Sequence, residues 1–357
     1  MAKIALLGDT HFGVFDGRPL YHVFMERVYS QWFFPLMRDL GIRQCWQFGD
    51  LYDKRKGVDS FSASESRRYF FDKLEENDLI LKALIGNHDA FFTNTIEVNS
   101  PELLLSDCEM VTLYSKPITL PYGATTIDII PWICRDNEEE IYEFIKKSDS
   151  DYCFGHFEID GFAMYKGVEA HKGISRDLFK KYKRVFSGHY HTRSEDGNIM
   201  YVGTPHELTW NDWNDPRGIH IFDTDTGETT FHPCPFTLFE KIIYDEDKID
   251  FKKKPNIDVD HFSKKYVKLI VEKRTDFKKF DLFVTALNEC GLHDLKIIEN
   301  LEDFENENVD IDLEKLDLDD TPTLLRNYVD GVDTDLDKNR LKRELILLYT
   351  EAKALEQ

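Results

Sequence analysis

The sequence predicts a layered α/β fold, followed by a smaller α/β unit and a helical end. Three observations predict it. Over the first 235 residues, apolar runs of strand length alternate with longer stretches of helical spacing. Several of the short runs end in glycine followed by Asp, Asn or His. From 236 to 300 the texture changes to a shorter strand–helix–strand pattern, and a run of carboxylates succeeds it.

In chain order, Lys3 to Leu7 is a short apolar run ending in "GD". Leu20 to Leu40 reads as a helix that stops at Gly41. Pro35 should kink or break it, because proline lacks the N–H and its ring meets the carbonyl four residues back. Gln44 to Phe48 again ends in "GD", Phe61 to Leu74 is helical, and Leu79 to Ile85 is a strand before "GNHDA". Thr125 to Ile130 alternates and ends at Pro131, and Glu138 to Lys147 is helical. Tyr152 to Phe154 ends in "GH", Arg184 to Phe186 in "SGHYH", and Met200 to Val202 in "GTP". Arg217 to Phe222 and Thr229 to His232 pair around "DTDTG". In the second unit, Tyr266 to Val271 and Leu295 to Ile298 read as strands around a helix from Lys278 to Cys290. Residues 301–320 read as an acidic, solvated linker and 321–357 as two helices separated by Gly331. Leu341, Leu345, Leu348, Tyr349 and Ala352 share one face there, an apolar stripe suited to docking on another protein.

The chain has 357 residues and a hydrophobic content of 41%, ordinary for a globular protein with a sizeable core. No apolar run reaches the roughly 18–20 residues of a membrane span. The N-terminus enters a strand without a signal-peptide pattern, so a cytoplasmic location is expected, with no membrane association. The six cysteines are scattered with no CxxC pair and read as free thiols. The net charge is −22, which alone argues against nucleic acid. Much of that acidity, however, sits between Glu299 and Asp320 and need not repel a substrate elsewhere.

The polar residues at the strand ends fall into five groups: Asp9 and His11; Asp50 and Asp53; Asn87, His88 and Asp89; His156; His189 and His191. In layered α/β folds, sites form at the carboxyl ends of strands. Residues two apart, as in Asp9-x-His11 and His189-x-His191, face the same side of an extended segment and can grip one ion or two adjacent ones. The mixed nitrogen and oxygen set suits Mn²⁺, Fe or Zn²⁺ better than Mg²⁺ or Ca²⁺. Two such ions about 3.5–4 Å apart clamp a phosphate and activate a water for in-line attack. Taken singly, each group has a plainer explanation, a structural histidine or a turn. Five together at strand ends leave those explanations little room. His206, beside "GTP", has a similar position without the pattern.

The order "DTH", "GDLYD", "GNHD", "GHFE", "GHYH" resembles the calcineurin-like metallophosphoesterase superfamily. The "DTHFG" opening, "GNHD", and "GTPHELTWNDWNDPRGIHIFD" are similar to the SbcD/Mre-type recombination nucleases, in particular the phage endonuclease subunit. The resemblance implies a four-layer αββα sandwich over residues 1–235, a capping and DNA-recognition domain over 236–300, and a C-terminal helical pair. It implies two divalent ions, Mn²⁺ foremost, with Mg²⁺ also compatible. Asp9, His11 and His191 would hold one; Asn87, His156 and His189 the other; Asp50 would bridge. His88 would not be a ligand but would steady the scissile phosphate and protonate the leaving 3′ oxygen, with Asp53 and Asp89 orienting neighbours. Apart from the resemblance, the local basic run Lys54, Arg55 and Lys56 just after the second motif reads equally as a DNA-phosphate contact or as a solvated turn. The implied activity is 3′-to-5′ exonuclease and endonuclease cleavage of duplex ends and single strands, as a homodimer with an SbcC-like ABC-type coiled-coil ATPase that docks on the C-terminal helices. If the chain is phage-encoded, its compartment is the host cytoplasm.

Two other readings compete. A phosphatase or cyclic-nucleotide phosphodiesterase could share the metal core, but Asp53-Lys54-Arg55 stands where protein phosphatases continue with "DRG". A non-catalytic scaffold would show a decayed site, whereas all seven ligand positions and His88 are present.

Overall fold

The computed structural model describes residues 3–165, 168–169, 173–249, 257–299 and the positions 338, 340–342 and 345. The chain divides into one compact unit, Met1–Leu301, and a second, Glu302–Gln357. The described positions of the second unit are helical, and the acidic linker and the rest of the expected helical pair lie outside the described residues.

The first unit begins with four parallel strands, β1 (Lys3–Leu7), β2 (Gln44–Gln47), β3 (Ile80–Leu84) and β4 (Val111–Tyr114). The chain crosses to a second sheet with β5 (Ile118–Tyr122), β6 (Thr125–Ile130) and β7 (Tyr152–His156). A ribbon of β8 (Ala163–Tyr165) and β9 (Val168–Glu169) intervenes before β10 (Arg184–Gly188), β11 (Ser194–Asp196) and β12 (Ile199–Tyr201). Then β13 (Gly218–Asp223) and β14 (Thr229–Pro233) return to the first sheet. Its order is β14-β13-β1-β2-β3-β4, and that of the second is β11-β12-β10-β7-β6-β5.

Alternation along the strands builds four layers. Ile4 and Leu6 of β1, with Trp46 and Leu84, meet Ile127, Ile129, Phe154 and Phe186 of the other sheet. Ala5, Leu7, Cys45, Leu81 and Ala83 face the other way, into a core shared with the helices. Those helices are α1 (Pro19–Val28), α2 (Phe34–Leu40), α3 (Ser60–Ser66), α4 (Asp72–Glu76) and α5 (Ser100–Leu104). The outer face of the second sheet packs Cys153 and Val185 against Ile141 and Ile145 of α6 (Glu138–Lys147). This is an αββα sandwich. The described cysteines are all free, and no helix among the described residues is long and apolar enough to cross a membrane.

The expected break at Pro35 takes a different form. α1 and α2 are joined through a π-helical turn, Tyr29–Phe33, and the Phe34 N–H reaches the carbonyl of Tyr29. The widened turn accommodates the proline ring without ending the helix, which stops at Gly41 in a left-handed conformation, φ 65°. The aromatic stretch it carries is core: Tyr21, Phe24, Met25, Tyr29, Phe33 and Phe34 are all buried.

Residues after β14 form a three-stranded parallel sheet, β15 (Phe239–Asp245), β16 (Tyr266–Lys273) and β17 (Asp294–Ile298), in sequence order. The short α7 (Val259–Phe262) precedes β16, and α8 (Phe277–Asn288) covers one face through Phe280, Phe283 and Leu287 against Tyr244 and Leu269.

Candidate metal centre

The carboxyl ends of β1, β2 and β3 in one sheet and of β7 and β10 in the other open at the same end of the sandwich. Each is followed by its polar group: Asp9 and His11, Asp50, Asn87, His156, and His189 with His191. Two donor clusters result, Asp9–His11–His191 and Asp50–His156–His189, each with its ligand atoms within 4.8 Å of one another.

The glycines of the strand-end motifs are there for close approach more than for turning. A Cβ on Gly86 would lie 2.2 Å from Asp50 Oδ1, and one on Gly188 would lie 2.6 Å from Asp9 Oδ1. Positive φ occurs at Gly49, 93°, and at several of the donors themselves. His11, Asp50 and His189 have φ of 44°, 54° and 88°. Such conformations are uncommon outside glycine and persist where surrounding structure enforces them, often at functional sites.

In the first cluster His11 Nε2 faces His191 Nε2 at 3.1 Å, and His191 Nε2 is 3.9 Å from Asp9 Oδ2. In the second, Asn87 Oδ1 is 2.9 Å from His156 Nε2 and 3.0 Å from His189 Nδ1. Asp50 Oδ2 lies between them, 3.8 Å from His11 Nε2 and 3.4 Å from His156 Nε2. The donor chemistry fits a cation. His156 Nδ1 donates to the carbonyl of Phe48 at 2.6 Å, so in the neutral ring Nε2 presents a lone pair to two acceptors, Asn87 Oδ1 and Asp50 Oδ2. Ligands about 2.1 Å from one ion stand roughly 3.0–3.4 Å apart, the range of three of these six separations.

The electrostatics differ from ring to ring. Burial opposes charge on His156, but Asp50 beside it overrides that and raises its pKa to about 9. Burial likewise opposes charge on Asp50, yet His156 and His88 hold it well below the usual carboxylate range. Burial pushes Asp9 up to about 6, while burial and then the neighbouring His156 push His189 down to about 3.

His88 stands beside the clusters and belongs to neither. Its Nδ1 donates to the Asp53 carbonyl at 2.6 Å, its backbone N–H to Asp50 Oδ1 at 2.7 Å, and its ring centre is 5.0 Å from that of His11. The Asp53 carboxylate lies 3.1 Å from His11 Nδ1. Asp89, fully buried, accepts the backbone N–H groups of Tyr52 at 3.1 Å and Gly86 at 2.9 Å, tying the second and third motifs together. The three basic residues separate. Lys54 pairs with Asp16 at 2.5 Å, half-buried Arg55 lies close enough for its charge to bear on His189, and Lys56 is exposed. His206 is buried in an aromatic cage, 3.3 Å from the Tyr29 hydroxyl, and burial drives it down to about 3.

Two neighbours were not legible from sequence spacing. The ring of Trp132, just beyond β6, is centred 5.7 Å from His156 and 5.2 Å from His189. Arg217, just before β13, donates to the backbone carbonyl of His191. The cluster "NDWNDPRG" was the signal available for the second.

A four-layer αββα sandwich with paired His/Asp clusters at the strand ends is a metallophosphoesterase fold. Over 354 residues the chain is 33% identical to exonuclease subunit 1 of Enterobacteria phage T4, spanning 98% of this chain and 99% of that protein, and it belongs to that family. No protein-family model matches it. Among solved structures, a novel archaeal phosphodiesterase aligns at 14% identity over 65% of this chain and 99% of its own, with a TM-score of 0.33. A glutamine-dependent NAD⁺ synthetase from Acinetobacter baumannii aligns at 10% identity over 98% and 72%, with a TM-score of 0.29. At such scores neither alignment bears on the site.

Proposed function

We propose that this chain is the nuclease subunit of an ATP-dependent complex that processes DNA ends, a two-metal phosphodiesterase cutting DNA as a 3′-to-5′ exonuclease and as an endonuclease. The observation that carries the reading is the position of Asp50 Oδ2 between two donor clusters, with His88 alongside. The relative named exonuclease subunit 1 supports the substrate class.

Asp9, His11 and His191 would hold one divalent ion, Asn87, His156 and His189 the other, with Asp50 shared. The mixed donors suit Mn²⁺, Fe or Zn²⁺, and Mn²⁺ is the ion proposed. Bound there, two such ions would polarise the phosphodiester and lower the pKa of the attacking water. The chain's own groups do the rest. Asp53 orients His11 through its carboxylate and His88 through its carbonyl. That bond fixes Nδ1–H, so Nε2 is the atom of His88 that can exchange a proton with the leaving 3′ oxygen. Asp89 holds the motif carrying His88 against the one carrying Asp50. Arg55 would attract the DNA backbone near the second cluster, with Lys56 and Lys54 at the margin. Residues 236–300 would cap the site and contact DNA. The helical end would dock an SbcC-like coiled-coil ATPase, the protein would act as a homodimer, and its setting would be recombination, repair and replication in a host cytoplasm.

The test is to supply Mn²⁺ with linear duplex DNA, single-stranded DNA and a small phosphomonoester. Cleavage of DNA is expected, and hydrolysis of the monoester alone would overturn the reading in favour of a phosphatase. His88→Ala should keep both ions and lose roughly 10²–10⁴-fold in DNA cleavage, as for an acid–base group. Loss of metal instead would put His88 among the ligands.

A further inference from the structure

We propose that Arg217 is a positioning residue, which sets His191, and through it one donor cluster only, from a buried ionic network in the segment after the last histidine motif. The proposal rests on the reading of Asp9, His11 and His191 as a metal site.

His191 is the least enclosed member of its cluster. Its side chain is 20% exposed, against 0% for His11 and 2% for Asp9. Its ring therefore depends on where its backbone is held. Two donors converge on its carbonyl: the Thr204 N–H at 3.0 Å and Nη1 of Arg217. The same Nη1 lies 3.3 Å from Thr204 Oγ1, and Nη2 bonds Asp212 Oδ1 at 2.7 Å and pairs with Asp215 Oδ2 at 2.9 Å. Asp212 is itself fixed, its other oxygen accepting the N–H groups of Leu208 at 2.6 Å and Thr209 at 2.9 Å. The guanidinium is thus clamped on one edge by two carboxylates and aims its other edge at one carbonyl.

A fold has little reason to do this for stability. The side chain of Arg217 is only 4% exposed. Burying ions costs so much solvation that well-packed apolar residues often serve as well or better. The carbonyl it serves already has one donor. What a planar, forked cation adds is geometry, since its edges hold fixed angles that an ammonium cannot. The second cluster is secured by other means: His156 through its ring on the Phe48 carbonyl, and His189 through its N–H on the Asp9 carboxylate at 3.0 Å. Arg217 therefore bears directly on the first cluster, whereas the second is held through the Phe48 carbonyl and, at His189, through Asp9.

The test is Mn²⁺ titration of the full chain by calorimetry, with free Mn²⁺ followed by its spin resonance. The wild-type chain should bind two ions. In Arg217→Met one site should hold its affinity and the other should weaken roughly 10–100-fold, as for loss of a group that orients a ligand. Arg217→Lys keeps the charge without the fork and should restore the weakened site in part. Its titration decides the matter alone should the methionine variant fail to fold. Two unaltered sites in a folded variant, or equal weakening of both, overturns the proposal. A wild-type chain that binds no Mn²⁺ would instead remove the metal reading on which the proposal stands.

Discussion

Gly86→Ala should disable the site through a single methyl group. The added Cβ would lie 2.2 Å from Asp50 Oδ1 and 2.3 Å from Asp50 N. Neither atom can swing aside, since one is backbone and the other is held by the His88 N–H at 2.7 Å. Ordinary contact begins at 3.4 Å, so the two motifs must part by about 1.2 Å, and misplacement of that order at a reacting centre costs on the order of 10²-fold in rate. Overpacking of this kind also removes about 1–3 kcal/mol of stability. Asp50 Oδ2 lies 3.8 Å from His11 Nε2 and 3.4 Å from His156 Nε2, so on the proposed bridging role both Mn²⁺ sites should weaken together, unlike the one-sided loss expected at Arg217. The assay is the initial rate of Mn²⁺-dependent cleavage of linear duplex DNA, read beside Mn²⁺ titration and thermal melting. Gly197→Ala is the control. It places a methyl at φ +60° with nothing within 4 Å, so it should lose about 1–2 kcal/mol to strain while its rate is unchanged. A Gly86→Ala chain with two intact Mn²⁺ sites and a rate within about threefold of wild type would refute the close-approach reasoning.

Glu207 is buried, and burial raises its carboxyl from 4.5 to about 7 although it accepts the N–H groups of Leu238 and Phe239. The native state then binds more protons than the unfolded chain between those values, so this group's contribution falls as pH rises through that window, by on the order of 3 kcal/mol. Glu207→Gln can present the same oxygen without the charge, so its melting temperature, measured in chelator, should gain on the wild type from pH 4.5 to 7; a constant difference would refute the assignment. Removing Thr321 to Gln357 should leave Mn²⁺-dependent cleavage intact and abolish binding to a coiled-coil ATPase partner, measured by co-purification. Retained binding would exclude docking through the helical end.

The donors were legible because each sits where strand period and glycine put it. Once "GD", "GNHD" and "GHYH" close short apolar runs, two sheets with strand ends in common bring them together. The shared role of Asp50 was implied by resemblance, and the placement of its Oδ2 between His11 and His156 supports it. Other features escaped for identifiable reasons. β4, β5 and β11 are edge strands of mixed exposure, so they lack the continuous burial that marks β1 or β6. Pro35 was expected to break a helix because local rules do not foresee a π turn that absorbs the missing bond. Gly86 follows a strand as a turn glycine would, yet its constraint comes from Asp50, 36 residues away in the chain. Arg217 acts on a carbonyl, and no side-chain pattern announces which carbonyl a distant arginine will find.

The division of donors between the sheets has a further consequence. Asp9, His11, Asp50 and Asn87 follow strands of the first sheet, and His156, His189 and His191 follow strands of the second. Either ion would therefore bolt the two sheets together at their open rim. His11 and His191 are 180 residues apart, and a cross-link closing so long a loop removes unfolded-chain entropy worth on the order of 5 kcal/mol. On the proposed metal reading, metal loading and closure of the sandwich would be one equilibrium seen from two sides. A chelator would loosen the rim first, where the donor loops lie, and leave the Trp46–Phe154 core to hold the layers.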